Sequence, residues 1–190
     1  MRAACALRAL LVGETKAALE AARRARELTD VLGYERDIIW AEWLLGAAHR
    51  ARRELAQAEP HLEEALRRCR RINVVYHEPD ILLELARLRH AQAQEKKVRR
   101  TSEVRRTWKA LAQEALDIAD RCQYRLVQAD CHNFLAELAY EAGDRQKAQE
   151  HAETARERAW CDGPPHRYEA AFQEAERLLE RIESLKHGSH

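Results

Sequence analysis

Small side chains recur along this chain at fixed helical offsets, and no other feature constrains its fold as tightly. Ala18, Ala22 and Ala25 form one set, and Ala58, Leu62 and Ala65 a second. Trp108, Ala112 and Ala115 form a third, and Ala148, Ala152 and Ala155 a fourth. Offsets of four then three place each set on one face of an α-helix. The sets start 40, 50 and 40 residues apart. A second register runs ahead of them as Leu45-Gly46, Leu85-Ala86 and Leu135-Ala136, with Cys5-Ala6 one period earlier. Two helical registers repeating together predict a helix hairpin used four times.

The turn chemistry agrees. Gly13-Glu14 and Gly143-Asp144 each lie five residues before a small-residue set. Gly suits the left-handed residue that ends one helix, and the acid suits the start of the next. The second hairpin carries Arg53-Glu54 there, a weaker turn signal. Pro60 falls early in its helix, where a missing N–H costs least. Gly33, Asn73 to Pro79, and Cys161-Asp162-Gly163-Pro164-Pro165 mark breaks between hairpins. Helices are therefore expected at about 2–12, 15–31, 35–51, 55–72, 79–96, 103–121, 125–142 and 145–160, with a last one at about 166–185.

Composition excludes the competing fold classes. The chain has 34 Ala and 23 Leu but only 7 Val and 6 Ile, with 6 Gly and 4 Pro. That mixture favours helix and leaves little material for strands and their turns. Net charge is +1, so there is no overall field to draw a polyanion. No run approaches the roughly 20 apolar residues of a membrane span. Five widely spaced cysteines without a C-x-x-C read as reduced, mostly buried thiols of a cytoplasmic protein.

The paired registers resemble the tetratricopeptide repeat. The fourth copy matches best, as Leu135-Ala136, Gly143-Asp144, Ala148, Ala152 and Ala155. The second, Leu45-Gly46 with Ala58-Glu59-Pro60, Leu62 and Ala65, is similar to the longer repeats of kinesin-light-chain type. The period exceeds the usual 34, and several consensus aromatics are replaced by Ala or Arg. The ending, from Leu138-Ala139-Tyr140 through Ala159-Trp160-Cys161-Asp162-Gly163-Pro164-Pro165 to Ala175-Glu176-Arg177-Leu178-Leu179, resembles the C-terminal repeats of bacterial STAND-class signalling ATPases. The resemblance implies an all-α, right-handed superhelix of about four hairpins plus a C-terminal capping helix. It divides a single domain over 1–187 into repeats at 1–33, 34–74, 77–122 and 125–161, with the cap at 166–185. Residues 188–190 read as a tag remnant. The apolar first helix also suggests a region excised from a longer chain, because a solenoid end normally carries a polar cap. No G-x-x-x-x-G-K-[ST] phosphate loop is present, so no nucleotide chemistry is assigned.

In the resembled family the first helices line a concave groove that receives a peptide. Carried over residue by residue, that groove comprises Trp40, Trp43, Ala47 and Arg50, then Asp80, Leu83, Arg87 and His90, then Asp130, Asn133, Glu137, Tyr140 and Glu141. Arg87 and Asn133 are expected to face solvent, and Arg68 to lie on the convex side. Aromatics and both signs of charge on one surface suit a protein or peptide ligand, or another domain of the same polypeptide. Trp40, Trp43 and Tyr140 equally suit packing against a neighbouring hairpin.

The ten extra residues of the third hairpin contribute a basic insertion over 95–106, with Lys96, Lys97, Arg99, Arg100, Arg105 and Arg106. It lacks interleaved aromatics and Gly, which argues against nucleic acid and for a solvated extension or an acidic partner. No catalytic constellation, cofactor motif or metal-ligand spacing emerges. Cys131 and His132, being adjacent, point about 100° apart on a helix.

Overall fold

The computed structural model describes residues 2–95 and 102–187. Among them are nine helices and no strand: α1 (Arg2–Leu11), α2 (Thr15–Leu32), α3 (Glu35–Ala51), α4 (Leu55–Arg71), α5 (Glu78–Glu95), α6 (Ser102–Cys122), α7 (Arg125–Glu141), α8 (Arg145–Trp160) and α9 (Glu169–His187). The chain divides after Leu111 into two compact units, a boundary that falls inside α6.

In the first unit, α1 to α5 pack in order along the chain, and α3 also touches α1 and α5. All the predicted small-residue positions are buried there: Ala18, Ala22, Ala58, Leu62 and Ala65 are fully enclosed, and Ala25 nearly so. Gly46 shows why a small residue belongs in the first-helix register. A Cβ on it would run into the Leu62 side chain and come within 3.2 Å of the Ala58 carbonyl oxygen. The α3–α4 contact is thus set by backbone approach. One core cluster joins α1, α2 and α3 around Leu19, Leu44 and Leu45. A second joins α3, α4 and α5 around Ile39, Leu62, Ile81 and Leu88. Trp43 packs against both.

The three expected hairpin turns share one geometry. Gly13, Arg53 and Gly143 have φ of 78°, 64° and 81°. The next amide in each case bonds back five residues: Glu14 to Ala9, Glu54 to His49 and Asp144 to Ala139. Arg53 therefore takes the left-handed conformation without being Gly, at a steric cost of about 1 kcal/mol.

In the second unit α7 packs on α8, and α9 packs on both. Its core is built of alanine: Ala136, Ala148 and Ala152 enclose Leu178 and Ile182, and Ala129, Ala159 and Ala171 meet further along. The last helix begins at Glu169, later than the expected 166. The segment before it is held as a turn, by Gly163 N–H to Trp160 O, His166 N–H to Gly163 O and Tyr168 N–H to Ala159 O. Cys69 and Cys131 are buried, Cys122 and Cys161 half-buried, and Cys5 exposed. Burial pushes the Cys69 thiol up to about 12, so it is inert at neutral pH.

Candidate functional site

Two of the groove residues predicted in the first unit, Arg50 and Arg87, are joined through a residue that sequence reasoning missed. Glu84 is buried on α5, inside the run Ile81 to Leu88. Arg50 of α3 binds it at 2.6 Å, and Arg87 at 2.8 Å. Burial pushes the Glu84 carboxyl up, but the two guanidinium charges and their hydrogen bonds pull harder and hold it at about 2. The available signal was a lone carboxylate in an otherwise apolar turn, which must find a cation when buried. Arg87 is accordingly half-buried and paired, where solvent exposure was expected. His90 is buried too, meeting Trp108 edge-on at 5.5 Å. Asp80 is half-buried in the first turn of α5.

In the second unit α9 covers the predicted first-helix face. Tyr168 Oη donates to Asp130 at 3.2 Å. Asn133 is 1% exposed, and its Nδ2 donates to the Ala171 carbonyl at 2.8 Å. Arg181 pairs with Glu137 at 3.1 Å, and its guanidinium lies 4.5 Å from the Tyr140 ring centre. The expectation that Asn133 faces solvent is corrected: the side chain ties α7 to α9. Nor is Arg68 a free convex residue, since it binds Glu64 of its own helix and Glu35 of α3. Of the basic insertion, Lys96, Lys97, Arg99 and Arg100 lie outside the described residues. Arg105 and Arg106 belong to α6 by backbone, and their side chains lie outside the described residues.

A surface the sequence did not single out lies at one end of the first unit. A cleft of about 440 Å³ opens there between the start of α3 and the α4–α5 turn. Arg36, Asp37, Trp40 and the segment Asn73 to His77 line it. Trp40 stacks on His77 at 6.2 Å, Trp43 meets the same ring at 6.3 Å, and Tyr76 crosses it edge-on at 4.7 Å. Burial and the nearby Arg36 charge both lower the His77 pKa, so the ring is neutral at pH 7. Exposed apolar side chains collect at the same end. Val31 is 84% exposed, Tyr34 and Tyr76 each 64%, and Ile72 and Val75 are also open. Tyr34 adjoins Glu35, which both Arg68 and Arg71 bind, and Ile72 follows Arg71 directly. The signal that could have found this surface is aromatic: Tyr34 and Tyr76 stand in inter-helix breaks, where polar residues are the norm.

Two histidine pairs bridge helices. His49 and His61 stack at 5.6 Å, and each has its own carboxylate, Glu54 at 2.7 Å and Glu42 at 2.6 Å. Buried Glu42 also binds Arg26 at 2.5 Å. His132 and His151 instead face each other, Nδ1 to Nδ1 at 2.9 Å. No group of three or more His, Cys, Asp or Glu among the described residues is placed to hold a metal ion. No helix among them is long and apolar enough to cross a membrane. No protein-family model and no curated protein matches the chain.

Proposed function

We propose that this chain is a non-catalytic module that recognises a protein or peptide. In this reading its hairpins form a tetratricopeptide-like superhelix that serves as the sensor or scaffold region of a larger bacterial signalling protein. The contacts of α3 with α1 and α5, and of α7 with α9, support it, because first helices that touch are what a stack of such hairpins requires. The observation that carries it is the aromatic cleft, with exposed apolar side chains at the same end of the unit. Exposed apolar surface beside a concave, aromatic-lined site is how recognition surfaces look.

The experiment is selection of random linear peptides displayed on phage against the immobilised chain, with Tyr34→Ser/Tyr76→Ser as the counter-target. Enrichment of a shared motif that the double variant fails to hold supports the reading. Absence of enrichment, or equal retention by the variant, overturns it.

A second reading is a structural arm for self-association or autoinhibition. It is favoured by Arg50 and Arg87 being satisfied by Glu84, and by α9 covering the α7 face. Sedimentation over a wide concentration range separates them, since an arm that self-associates shifts to higher mass.

A further inference from the structure

We infer that the Trp40 cleft takes an extended peptide segment in which one large apolar side chain stands two residues from a carboxylate, with the acid bound by Arg36. This rests on the peptide-recognition reading and names the ligand class for that site.

The charges at this end of the first unit separate into two groups. Arg68 is bound by Glu35 and Glu64, Arg71 by Glu35, and Arg70 by Glu78. Arg36 makes no hydrogen bond or ion pair with any described residue, although it lines the cleft. Arg36 is exposed, and its position favours an added anion. It sits in the first turn of α3, where the helix end is positive and a cation is disfavoured. It also stands near enough to His77 for its charge to add to burial in lowering that ring's pKa. Asp37 beside it is favourably placed in the same turn and needs no further partner. A carboxylate brought to Arg36 relieves the cation at the helix start and its push on His77. An ammonium group brought there would add to both.

The spacing follows from the scaffold. Arg36 and Trp40 are four apart on one helix, so their Cβ atoms lie roughly 5–6 Å apart on one face. In an extended peptide, same-side residues two apart are separated by about 6.7 Å. A carboxylate over Arg36 therefore sets the residue two positions away over Trp40, between Val74, Val75 and Tyr76. A cleft of about 440 Å³ holds one large apolar side chain with its backbone.

The probes are short capped peptides carrying glutamate, serine and phenylalanine in either order between serine flanks. Lysine-for-glutamate counterparts, and peptides with the acid directly beside the phenylalanine, serve as comparisons. Binding is measured by calorimetry and by tryptophan fluorescence at low salt. At least one order of the glutamate peptide is expected to bind tenfold or more tighter than its lysine counterpart and than the adjacent-acid peptide. Arg36→Glu is expected to invert the charge preference, and Arg36→Lys to keep it; circular dichroism verifies that both variants fold. No binding, no charge preference, or a preference unmoved by Arg36→Glu overturns the inference. If display selects motifs that need Tyr34 and Tyr76 but carry no acid, this inference fails and the peptide-recognition reading stands. If display selects nothing, that reading fails.

Discussion

The two units bury helix hairpins of one sequence pattern in different ways. The first relies on large side chains, with Ile39, Leu44, Leu62, Ile81, Leu82 and Leu88 all fully enclosed. It also hides charge: buried Glu42 meets Arg26 of α2 and His61 of α4, and buried Glu84 meets Arg50 of α3 and Arg87 of its own helix. The second closes on alanine along α7, α8 and α9; its most deeply buried polar link, Asn133 to the Ala171 carbonyl, is neutral, and its ion pairs Arg181–Glu137 and Arg156–Glu176 lie on the surface. The histidine pairs make the contrast sharpest. Each ring of the His49–His61 stack lies within hydrogen-bond distance of a carboxylate. His132 and His151 have each other, and two protonated imidazoles cannot share one hydrogen bond. The small-residue register dictates how closely helices approach, and the residues around it decide how each unit responds to charge.

The largest effects should come from reversing each unit's own solution. Glu84→Ala leaves Arg50 and Arg87 facing each other without their anion, and is expected to cost about 3–5 kcal/mol. Ala148→Asp forces a charge into the alanine seam of the second unit, at a comparable cost. Hydrogen exchange on α3–α5 and α7–α9 amides reads the units separately. Glu84→Ala should raise exchange in the first set, and Ala148→Asp in the second. Wild-type protection in either variant would break the comparison.

Acid should separate the units next. His132 is held at about 4, first by burial, then by His151, with Arg158 adding to the depression and Asp120 opposing it. A histidine with a lowered folded pKa stabilises the fold above its ordinary value, and that stability is lost as pH falls. For His132 the window runs from about 6.5 to 4. Allowing for the ring's partial exposure, the loss is at most about 2 kcal/mol. Glu84 holds its stabilisation until pH falls through 4.5 toward 2. His77, also lowered, gives the first unit a loss of the same sign in the upper window. Exchange followed from pH 7.5 to 4.5 should therefore show α7–α8 protection falling in wild type and a shallower fall in His132→Gln. Equal slopes in the two proteins would show that the pair does not tune the second unit.

The smallest effect sharpens the turn comparison. Arg53→Gly removes a Cβ from a left-handed residue and is expected to stabilise by about 0.5–1 kcal/mol. Gly143→Ala, in the matching turn of the second unit, should destabilise by about 1 kcal/mol. Denaturant midpoints measure both. A destabilising Arg53→Gly would mean that contacts of that side chain outweigh its backbone strain.

Helix identity and spacing were legible in the chain alone. The offsets of four and three, the Leu-Gly and Leu-Ala pairs and the Gly-acid turns placed eight helices within a residue or so at each end, because they are short-range steric rules. Burial of Ala58, Leu62, Ala148 and Ala152 followed from the same periodicity. What the period could not carry is the partner of a polar side chain. Arg87 and Asn133 occupy first-helix positions that a pattern reads as open. Whether they meet solvent, Glu84 or the Ala171 carbonyl depends on a neighbouring helix brought alongside. The candidate cleft escaped the pattern for a related reason, since it is assembled from a helix start and a turn more than thirty residues away. Local sequence determines which face of each helix is small and apolar. Only tertiary packing decides which charges are neutralised within the fold and which, like Arg36, have no hydrogen-bond or ion-pair partner among the described residues.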